Sequence, residues 1–378
     1  MSSLSTRPAI MKLEFKYTNN LVNYLLLIEK YKTALDYLYL PTREKQKLMY
    51  EAKLKKTHFS TSIEGNVLSY NQVEKVIASK QDIKRITAEQ EVQNYWDALT
   101  FLEEEKKKNT KIDVSFILNL HDIIQRKGKL TRIPLRGATL PGVLFAVYDS
   151  ASRQAEYIPP EWLDIEPLLN ELIFWYNNNQ DLPVPVLAAI MHYALVTIHP
   201  FTDGNGRTSR ALATYVLMQH DYDFKGFNSF EEYYMSDLSG YYESIQMGLP
   251  TLFYSGRDNP PHLEIWIEYF CKIMVLNAEK IYAQALEASK KDSNEILKGL
   301  TKKDLTLLRY CIENNKTIVK NKELSELFGV TPRAISKWMN EWVEKGILKP
   351  NTGNERITSY CLSKKFSTLK VSDLGFTI

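Results

Sequence analysis

The segment 184–220 constrains the fold more than any other part of the 378-residue chain. It begins with an apolar run from about Val184 to Ile198, which is long enough for a buried helix. The residues that follow, 199–206, include two glycines, an aspartate and an asparagine, and this composition predicts a loop. A helical pattern returns at Arg207–His220. The segment therefore predicts two helices joined by a glycine-rich loop.

Most of the remaining sequence is also helical in pattern, so we expect a mainly α fold. Several predicted helices carry capping signals at their first residues. Because the stretch Lys291–Lys298 is polar and charged, it is a candidate linker. The other predicted helices are Thr42–Ile63, Tyr70–Ser79, a helix capped by Thr87, Asp113 to about Arg126, Glu161–Asn177, Phe230–Gln246 and His262–Ser289.

A stretch rich in glycine and proline, 128–160, interrupts the helical pattern. Within it, Val143–Val147 and Gln154–Ile158 have the pattern of short strands, and Asp149–Ser152 supplies a turn. We therefore expect a β-hairpin over about 140–158, in the middle of the chain.

The C-terminal part has its own charge and pattern. From residue 301 onward, 14 Lys and Arg face 8 Asp and Glu, a net charge of +6 within a chain whose total is +3. Three short helices followed by two strands predict a winged helix-turn-helix domain over 300–378. The predicted elements are Lys302–Asn315, Lys322–Phe328, Thr331–Lys345, Ile347–Asn351 and Ile357–Leu362, with the turn between the strands at Thr352–Glu355.

The third of these helices has two distinct faces. Ile335, Trp338, Met339 and Trp342 form the inward stripe, and polar residues form the outward face. The outward residues are of types that contact phosphates and base edges. Winged helices also dock proteins, so both DNA and protein contact remain open. The outward residues are Arg333, Ser336, Lys337 and Asn340.

Composition excludes several other classes of protein. The chain is 44% hydrophobic and 25% charged, which is ordinary for a globular protein, and a total charge of +3 does not indicate a membrane surface. No apolar span of about 20 residues exists, so we expect no membrane helix. Cys271, Cys311 and Cys361 are too far apart for a disulfide framework or a zinc site. We expect a reducing, cytoplasmic location.

The loop at 199–206 has the residue types of an anion site. Gly204, Asn205 and Gly206 can all adopt positive φ, which would turn successive N–H groups into one concavity. That concavity would lie at the N-terminus of a helix, where phosphate is bound favourably. Arg207 and Arg210 are three residues apart and can lean to the same side.

Two further side chains complete this chemistry. Asp203 is a hard oxygen ligand suited to Mg²⁺ on a polyphosphate. His199 could abstract a proton from an incoming hydroxyl. Together with the anion site, these groups predict phosphoryl or nucleotidyl transfer. We interpret Phe201 as a structural residue packed beneath the loop, and His121 and His192 as packed core histidines.

The segment His199–Arg210, HPFTDGNGRTSR, resembles the Fic-family signature His-x-Phe-x-(Asp/Glu)-Gly-Asn-Gly-Arg-x-x-Arg at every fixed position. The resemblance implies a helical core over 111–290 and transfer of AMP from MgATP to a Ser, Thr or Tyr hydroxyl of a protein, including the enzyme itself. It also implies that the hairpin is the flap that aligns the target backbone by strand addition. The implied roles are base for His199, Mg²⁺ ligand for Asp203, anion nest for Gly204, Asn205 and Gly206, phosphate binding for Arg207 and γ-phosphate binding for Arg210.

A second resemblance lies upstream, in the N-terminal helical region 1–110. Ser60–Gly65, STSIEG, is similar to the family's inhibitory motif (Ser/Thr)-x-x-x-Glu-(Gly/Asn). Ser60 and Glu64 are four residues apart and so share one helix face. The motif implies that Glu64 pairs with Arg210 and displaces the γ-phosphate, and that the same glutamate can support removal of AMP.

Other aspects of the function stay open at this point. Tyr241 and Tyr242 resemble a tyrosine-bearing stretch that could contact adenine, but both could equally be core residues. The alternatives to an adenylyltransferase are a nucleotide-sensing DNA-binding regulator with little catalysis, or transfer of another nucleotide. A homodimer is a further possibility that the family resemblance raises.

Overall fold

The computed structural model describes residues 11–79, 87–126, 134–140, 142–148, 155–249, 254, 257, 259–351, 359–367, 369 and 374, without the side chains of 156 and 290–295. These residues form mostly helices, as predicted. The helices are α1 Asn19–Tyr37, α2 Thr42–Ile63, α3 Tyr70–Ser79, α4 Ala88–Lys108, α5 Val114–Ile124, α6 Ile165–Asn178, α7 Val184–Ile198, α8 Asn205–Gln219, α9 Glu231–Ser236, α10 Leu238–Gln246, α11 Leu263–Leu297, α12 Lys302–Glu313, α13 Asn321–Phe328 and α14 Pro332–Glu344.

The chain divides into two compact units. The first unit comprises Met1–Ala34 and Gln46–Ile281, and the second comprises Leu35–Lys45 and Tyr282–Ile378. The linker predicted at Lys291–Lys298 is wrong, because α11 continues through Leu297. A polar, charged composition does not by itself end a helix, since most of its residue types are good helix formers.

The centre of the first unit is the pair α7 and α8. Almost every side chain of α7 is buried, and so is almost every side chain of α8. Helix α7 is apolar almost all round, as is expected of a helix inside a domain, whereas the first turns of α8 bury polar and charged side chains. The indole of Trp266 on α11 donates to the Ala189 carbonyl of α7 at 2.7 Å, so this buried polar group is satisfied. The loop between α7 and α8 is thereby held on a rigid, buried base.

Capping fixes where the helices that surround this pair begin. The side chain of Thr87 accepts from the Gln90 N–H at the start of α4. The side chain of Asp113 accepts from the Phe116 N–H at 2.7 Å at the start of α5. Each cap satisfies one N–H that the helix itself cannot satisfy. The sequence predicted both of these caps.

The predicted hairpin is present but short. Strands β1, Val147–Tyr148, and β2, Ala155–Tyr157, pair antiparallel, with Val147 opposite Tyr157. The predicted turn at Asp149–Ser152 lies outside the described residues. Each strand is shorter than the sequence pattern predicted, and the register shifts between the two residues of β1.

The second unit contains α12, α13, α14 and two antiparallel strands, β3 Leu348–Pro350 and β4 Tyr360–Leu362. Gly329 ends α13 in the left-handed conformation, and Thr331 caps α14 with Pro332 as its first residue. The turn predicted at Thr352–Glu355 lies outside the described residues. The elements occur in the predicted order; their identity as a winged helix stays a prediction.

The two faces of α14 are those predicted from the sequence. Ile335, Met339 and Trp342 are buried, and Trp338 is half-buried. The indole of Trp342 donates to Asp304 of α12 at 2.8 Å. The exposed residues on the other face are Arg333, Ser336, Lys337 and Asn340. In the part of the chain that the structure describes, no helix combines the length and the apolar character that crossing a bilayer requires.

Candidate active site

His199 directly follows the last residue of α7 and is its C-cap. Its backbone is left-handed, with φ 51° and ψ 58°, so the chain turns sharply out of the helix. Its Nδ1 lies 3.2 Å from the Val196 carbonyl oxygen. Since a carbonyl only accepts, this contact assigns the proton to Nδ1 and leaves the Nε2 lone pair available. Burial lowers the pKa of His199 to about 4, and the charge of Arg136 acts in the same direction. The imidazole is therefore neutral near pH 7 and able to accept a proton.

The loop after His199 is fastened by its own side chains. The Phe201 N–H donates to Asn205 Oδ1 at 3.0 Å, and Asn205 Nδ2 donates back to the Phe201 carbonyl at 2.8 Å. The Phe201 ring is stacked on the His121 ring, 3.4 Å between centroids, and His121 Nδ1 lies 3.0 Å from the Thr208 hydroxyl. Phe201 and His121 are thus structural, as predicted.

The predicted anion nest has a different backbone geometry from the one expected. Of Gly204, Asn205 and Gly206, only Gly204 has a positive φ, 77°. Asn205 and Gly206 are the first two residues of α8, which begins two residues before the predicted Arg207. The N–H groups of the first helical turn have no partner within the helix, and they carry the positive end of its dipole. The candidate anion site is therefore a helix N-terminus preceded by one left-handed glycine.

Arg207 and Asp203 lie at this N-terminus. The Arg207 side chain is 4% exposed, and its Nη2 lies 3.4 Å from Asp203 Oδ1. Among the described residues, the buried Nε of Arg207 has no hydrogen-bond partner, so a donor is left for an anion. The Asp203 side chain is 70% exposed and also accepts from the Gly204 N–H at 2.6 Å.

Arg210 is bound by the helix that carries the predicted inhibitory motif. Its Nη2 donates to Glu64 Oε1 at 2.8 Å and to the Ser60 carbonyl at 2.9 Å, and its Nε donates to the Ser60 hydroxyl at 2.9 Å. The Arg210 side chain is 2% exposed and that of Glu64 is 25% exposed. Burial opposes the charged form of Arg210, but the Glu64 carboxylate together with Tyr241 and Tyr95 outweighs it and raises the arginine's pKa. An ion pair between the buried Arg210 and the partly exposed Glu64 therefore joins the end of α2 to α8.

Glu64 also touches the backbone of the anion site. A Cβ placed on Gly206 would lie 2.3 Å from Glu64 Oε1 and 3.1 Å from Arg210 Nη1. Only glycine leaves room for this carboxylate at the first turn of α8. The carboxylate occupies space beside the same N–H groups that could bind a phosphate.

The two predicted adenine contacts differ in exposure. Tyr241 is 1% exposed, and its hydroxyl lies 3.1 Å from His192 Nε2 in a buried aromatic cluster with Trp266. Its ring is therefore a core residue in this conformation and presents no open face to a base. Tyr242 is 47% exposed. Of the two, Tyr242 is the residue that a ligand can reach.

Three residues near this site were missed by sequence reasoning. Arg136 donates from Nε to the His199 carbonyl at 2.8 Å. The Tyr157 hydroxyl donates to the Thr197 carbonyl, and its ring centroid lies 6.3 Å from that of His199. The buried Nε2 of Gln125 packs against Gly204, so closely that a Cβ placed on this glycine would be 2.2 Å from it. Each contact joins residues at least 40 positions apart, and no local sequence signal could have indicated it.

Comparison with known proteins gives the same assignment to the central segment. Residues 111–217 match the model of the Fic/DOC family. The chain is 30% identical over 175 residues to the protein adenylyltransferase Fic of Nematostella vectensis, covering 45% of this chain and 38% of that protein. It is 32% identical over 179 residues to the protein adenylyltransferase Fic of Aedes aegypti, covering 46% and 33%. The matched segments thus span little more than a third of these relatives' length.

Solved structures share the fold over more of the chain. A Fic family protein from Desulfovibrio desulfuricans G20 superposes with a TM-score of 0.57 at 18% identity, covering 93% of this chain and 98% of that one. A Fic domain-containing signaling protein from Bacteroides thetaiotaomicron gives a TM-score of 0.57 at 20% identity, covering 70% and 97%. The predicted mainly helical, Fic-type fold is confirmed.

Proposed function

We propose that this chain, whose residues 111–217 form a Fic/DOC family domain, is a protein adenylyltransferase that Glu64 holds in an inhibited state. The observation that carries the proposal is the position of Glu64. Its carboxylate is bonded to Arg210 and lies against Gly206, at a helix N-terminus that otherwise suits a polyphosphate. A carboxylate lying against a phosphate site is expected of a lock on a nucleotide enzyme.

The reaction uses His199 as its base. A target hydroxyl approaches the α-phosphorus of ATP, and its proton passes to Nε2 of His199, which the Nδ1 contact to Val196 leaves free. The hydroxyl oxygen forms a bond to the α-phosphorus while the bond from phosphorus to the bridging oxygen breaks. The products are the AMP-modified side chain and pyrophosphate.

The start of α8 stabilises the negative charge of the phosphates. The N–H groups of its first turn and the guanidinium of Arg207 are buried donors placed before the substrate arrives. Arg210 binds the γ-phosphate once Glu64 has left it. Tyr242 is the tyrosine that can contact the base, because its ring is exposed and that of Tyr241 is not.

Asp203 is the residue suited to hold Mg²⁺. Within the described ranges, no group of three or more His, Cys, Asp or Glu side chains could hold a metal alone. Mg²⁺ typically binds through one or two carboxylates together with substrate phosphates and water, and the exposed Asp203 beside Arg207 fits that mode. When bound there, the ion would neutralise charge on the polyphosphate.

Hydrolytic removal of AMP from a modified target, with water as the nucleophile, uses the same site. If Glu64 swings from Arg210 toward a modified target, its carboxylate is positioned to activate water for removal of AMP. Addition and removal therefore compete for one side chain, and the proposal covers both.

Radiolabelled ATP tests the class of reaction. The Glu64→Gly variant is incubated with ATP labelled at the α- or at the γ-phosphorus, and protein-bound label is measured. If the protein is labelled by ATP that carries the label at the α-phosphorus and not by ATP that carries it at the γ-phosphorus, the result supports nucleotidyl transfer. Label from the γ-position would indicate phosphorylation, and competition by unlabelled UTP or GTP would indicate another nucleotide donor.

A second candidate function is nucleotide-dependent binding of DNA, supported by the exposed polar face of α14. Arg333, Ser336, Lys337 and Asn340 lie together on that face. If they contact phosphates, affinity for duplex DNA will fall steeply with salt, and Lys337→Ala will reduce the salt dependence. Affinity that is unchanged by the substitution would leave docking of a protein as the use of this face.

A further inference from the structure

Arg136 joins three parts of the first unit through one side chain. Its Nε donates to the His199 carbonyl at 2.8 Å, and its Nη2 donates to the Pro160 carbonyl. Its own N–H donates to the Pro200 carbonyl at 2.9 Å. The guanidinium carbon lies 4.9 Å from the centre of the Phe145 ring. The residue is 5% exposed, so these contacts are made away from water.

The contacts to residues 199 and 200 hold a backbone that is unfavourable on its own. A left-handed conformation at a residue other than glycine is strained and persists only where neighbouring groups fix it. His199 has that conformation, and it follows directly on the last turn of α7. Arg136 donates to the carbonyls of both His199 and Pro200, and so restrains the backbone from which the imidazole projects.

The remaining contacts of Arg136 reach the hairpin. Pro160 follows β2 by three residues, and Phe145 precedes β1 by two. The two ends of the hairpin therefore meet at the guanidinium that holds His199. Movement of either end of the hairpin would therefore shift the guanidinium that donates to the His199 carbonyl.

We propose that Arg136 is a positioning residue that couples the seating of a target on the hairpin to the placement of His199 as base. The inference rests on the proposed transferase function. The planar guanidinium donates in two directions while its face lies on an aromatic ring, and a lysine ammonium cannot reproduce this arrangement. Arg136→Lys therefore retains the positive charge but removes the planar group that donates in two directions.

The test uses the Glu64→Gly background, in which the lock is absent. We expect Glu64→Gly/Arg136→Lys to modify protein with a turnover lower by roughly 10²-fold, because small misplacements of a catalytic group have costs of that order. The dissociation constant for ATP should stay within about two-fold, since Arg136 does not contact the start of α8. With Arg136→Ala, added guanidinium should restore part of the turnover, which a general loss of folding would not allow.

Arg257→Lys is the matched control. Arg257 is also a buried arginine lying on an aromatic ring next to the site, 4.8 Å from the centre of Tyr157. Because Arg257 lies on the hairpin ring Tyr157, whereas Arg136 donates directly to the His199 carbonyl, we expect Arg257→Lys to lower turnover far less than Arg136→Lys does. Equal turnover in Glu64→Gly and Glu64→Gly/Arg136→Lys, or an equal loss in the Arg257 variant, would overturn the proposal.

A nitrogen NMR spectrum of the histidine side chains separates this inference from the proposed function. With its proton on Nδ1, His199 should give the nitrogen chemical shifts of a single tautomer. In Arg136→Lys, where the ring is less fixed, these shifts should move toward the average of the two tautomers. If Glu64→Gly does not modify protein at all, the proposed function fails, yet the tautomer signal still tests Arg136. A His199 signal that is identical in both proteins would overturn the positioning role.

Discussion

Glu64 lies against Gly206 so closely that a methyl group on the glycine would sit 2.3 Å from the carboxylate oxygen Oε1. The same oxygen accepts a hydrogen bond from Arg210 at 2.8 Å. One carboxylate therefore fills the space above the first turn of α8 and neutralises its buried arginine. Both effects oppose binding of a phosphate at that position.

This contact predicts that Gly206→Ala and Glu64→Gly are not additive. Gly206 has helical φ, so alanine is accommodated by its backbone and improves helix propensity. In the otherwise unchanged protein, the added methyl displaces Glu64, and we expect a lower thermal midpoint. In the Glu64→Gly background the 2.3 Å clash is absent and only the 3.1 Å contact with Arg210 Nη1 remains, so the midpoint should fall much less.

The four thermal midpoints of this cycle give the coupling directly. Equal shifts in both backgrounds would show that Glu64 does not rest on Gly206 in solution.

Ser60 is predicted to contribute to the lock independently of charge. Its hydroxyl accepts from Arg210 Nε at 2.9 Å, so Ser60→Ala leaves a buried donor unsatisfied, at a cost of about 1–3 kcal/mol. We expect self-modification intermediate between the unchanged protein and Glu64→Gly. Ser62→Ala, on the same turn of α2 but half-buried, is the control and should have no effect. Equal modification by the Ser60 and Ser62 variants would contradict the assignment.

The pH dependence of transfer follows from the buried histidine. The pKa of His199 is lowered from 6.5 to about 4, so the base stays neutral well below neutral pH. Glu64 and Asp203 raise this pKa, and removing Glu64 lowers it further. For Glu64→Gly, kcat/KM should be flat from pH 8 to about 5 and fall only below it.

The stability of the fold must be followed in the same experiment. A histidine whose folded pKa is lowered contributes stability that is present above its unfolded pKa and is lost as pH falls from about 6.5 toward 4. Circular dichroism at each pH separates this loss from titration of the base. An acid limb of kcat/KM centred at 6.5 in folded protein would contradict the buried, neutral base.

We expect substitutions of the adjacent residues Tyr241 and Tyr242 to have different effects on stability and on ATP affinity. Tyr241→Phe removes a buried hydroxyl that lies 3.1 Å from His192, and we expect a lower thermal midpoint with little change in ATP affinity. Tyr242→Ala removes an exposed ring, and we expect weaker ATP binding with little change in the midpoint. Calorimetric titration with ATP and thermal melts of both variants provide the comparison. The opposite pattern would place the base contact at Tyr241.

Local signals accounted for much of the fold. Caps at Thr87, Asp113 and Thr331 fixed helix starts because an Asp or Thr side chain satisfies N–H groups within the same turn. Likewise, the residues of the anion site follow one another in the chain, so their spacing was informative. The tyrosine pair was ambiguous because an aromatic residue on a helix suits a core and a ligand equally well.

Contacts distant in sequence were not predictable in the same way. Arg136 reaches His199 across 63 residues, and its sequence neighbourhood is the mixture of glycines, prolines, threonines, basic and apolar residues typical of a loop. Gly206 was expected to contribute to the anion site through a positive φ, but the structure gives it helical φ and a steric reason to be glycine. That reason depends on Glu64, which follows the last residue of α2 and is 142 positions away in the sequence.

Intact-mass spectrometry of three proteins tests the central claim most directly. The unchanged chain, Glu64→Gly and Glu64→Gly/His199→Ala are each incubated with MgATP, and the mass of the protein is measured. The account predicts an added AMP on Glu64→Gly and none on the double variant, with little on the unchanged chain. Equal modification of Glu64→Gly and the double variant, or no modification of any form despite ATP binding, would contradict it.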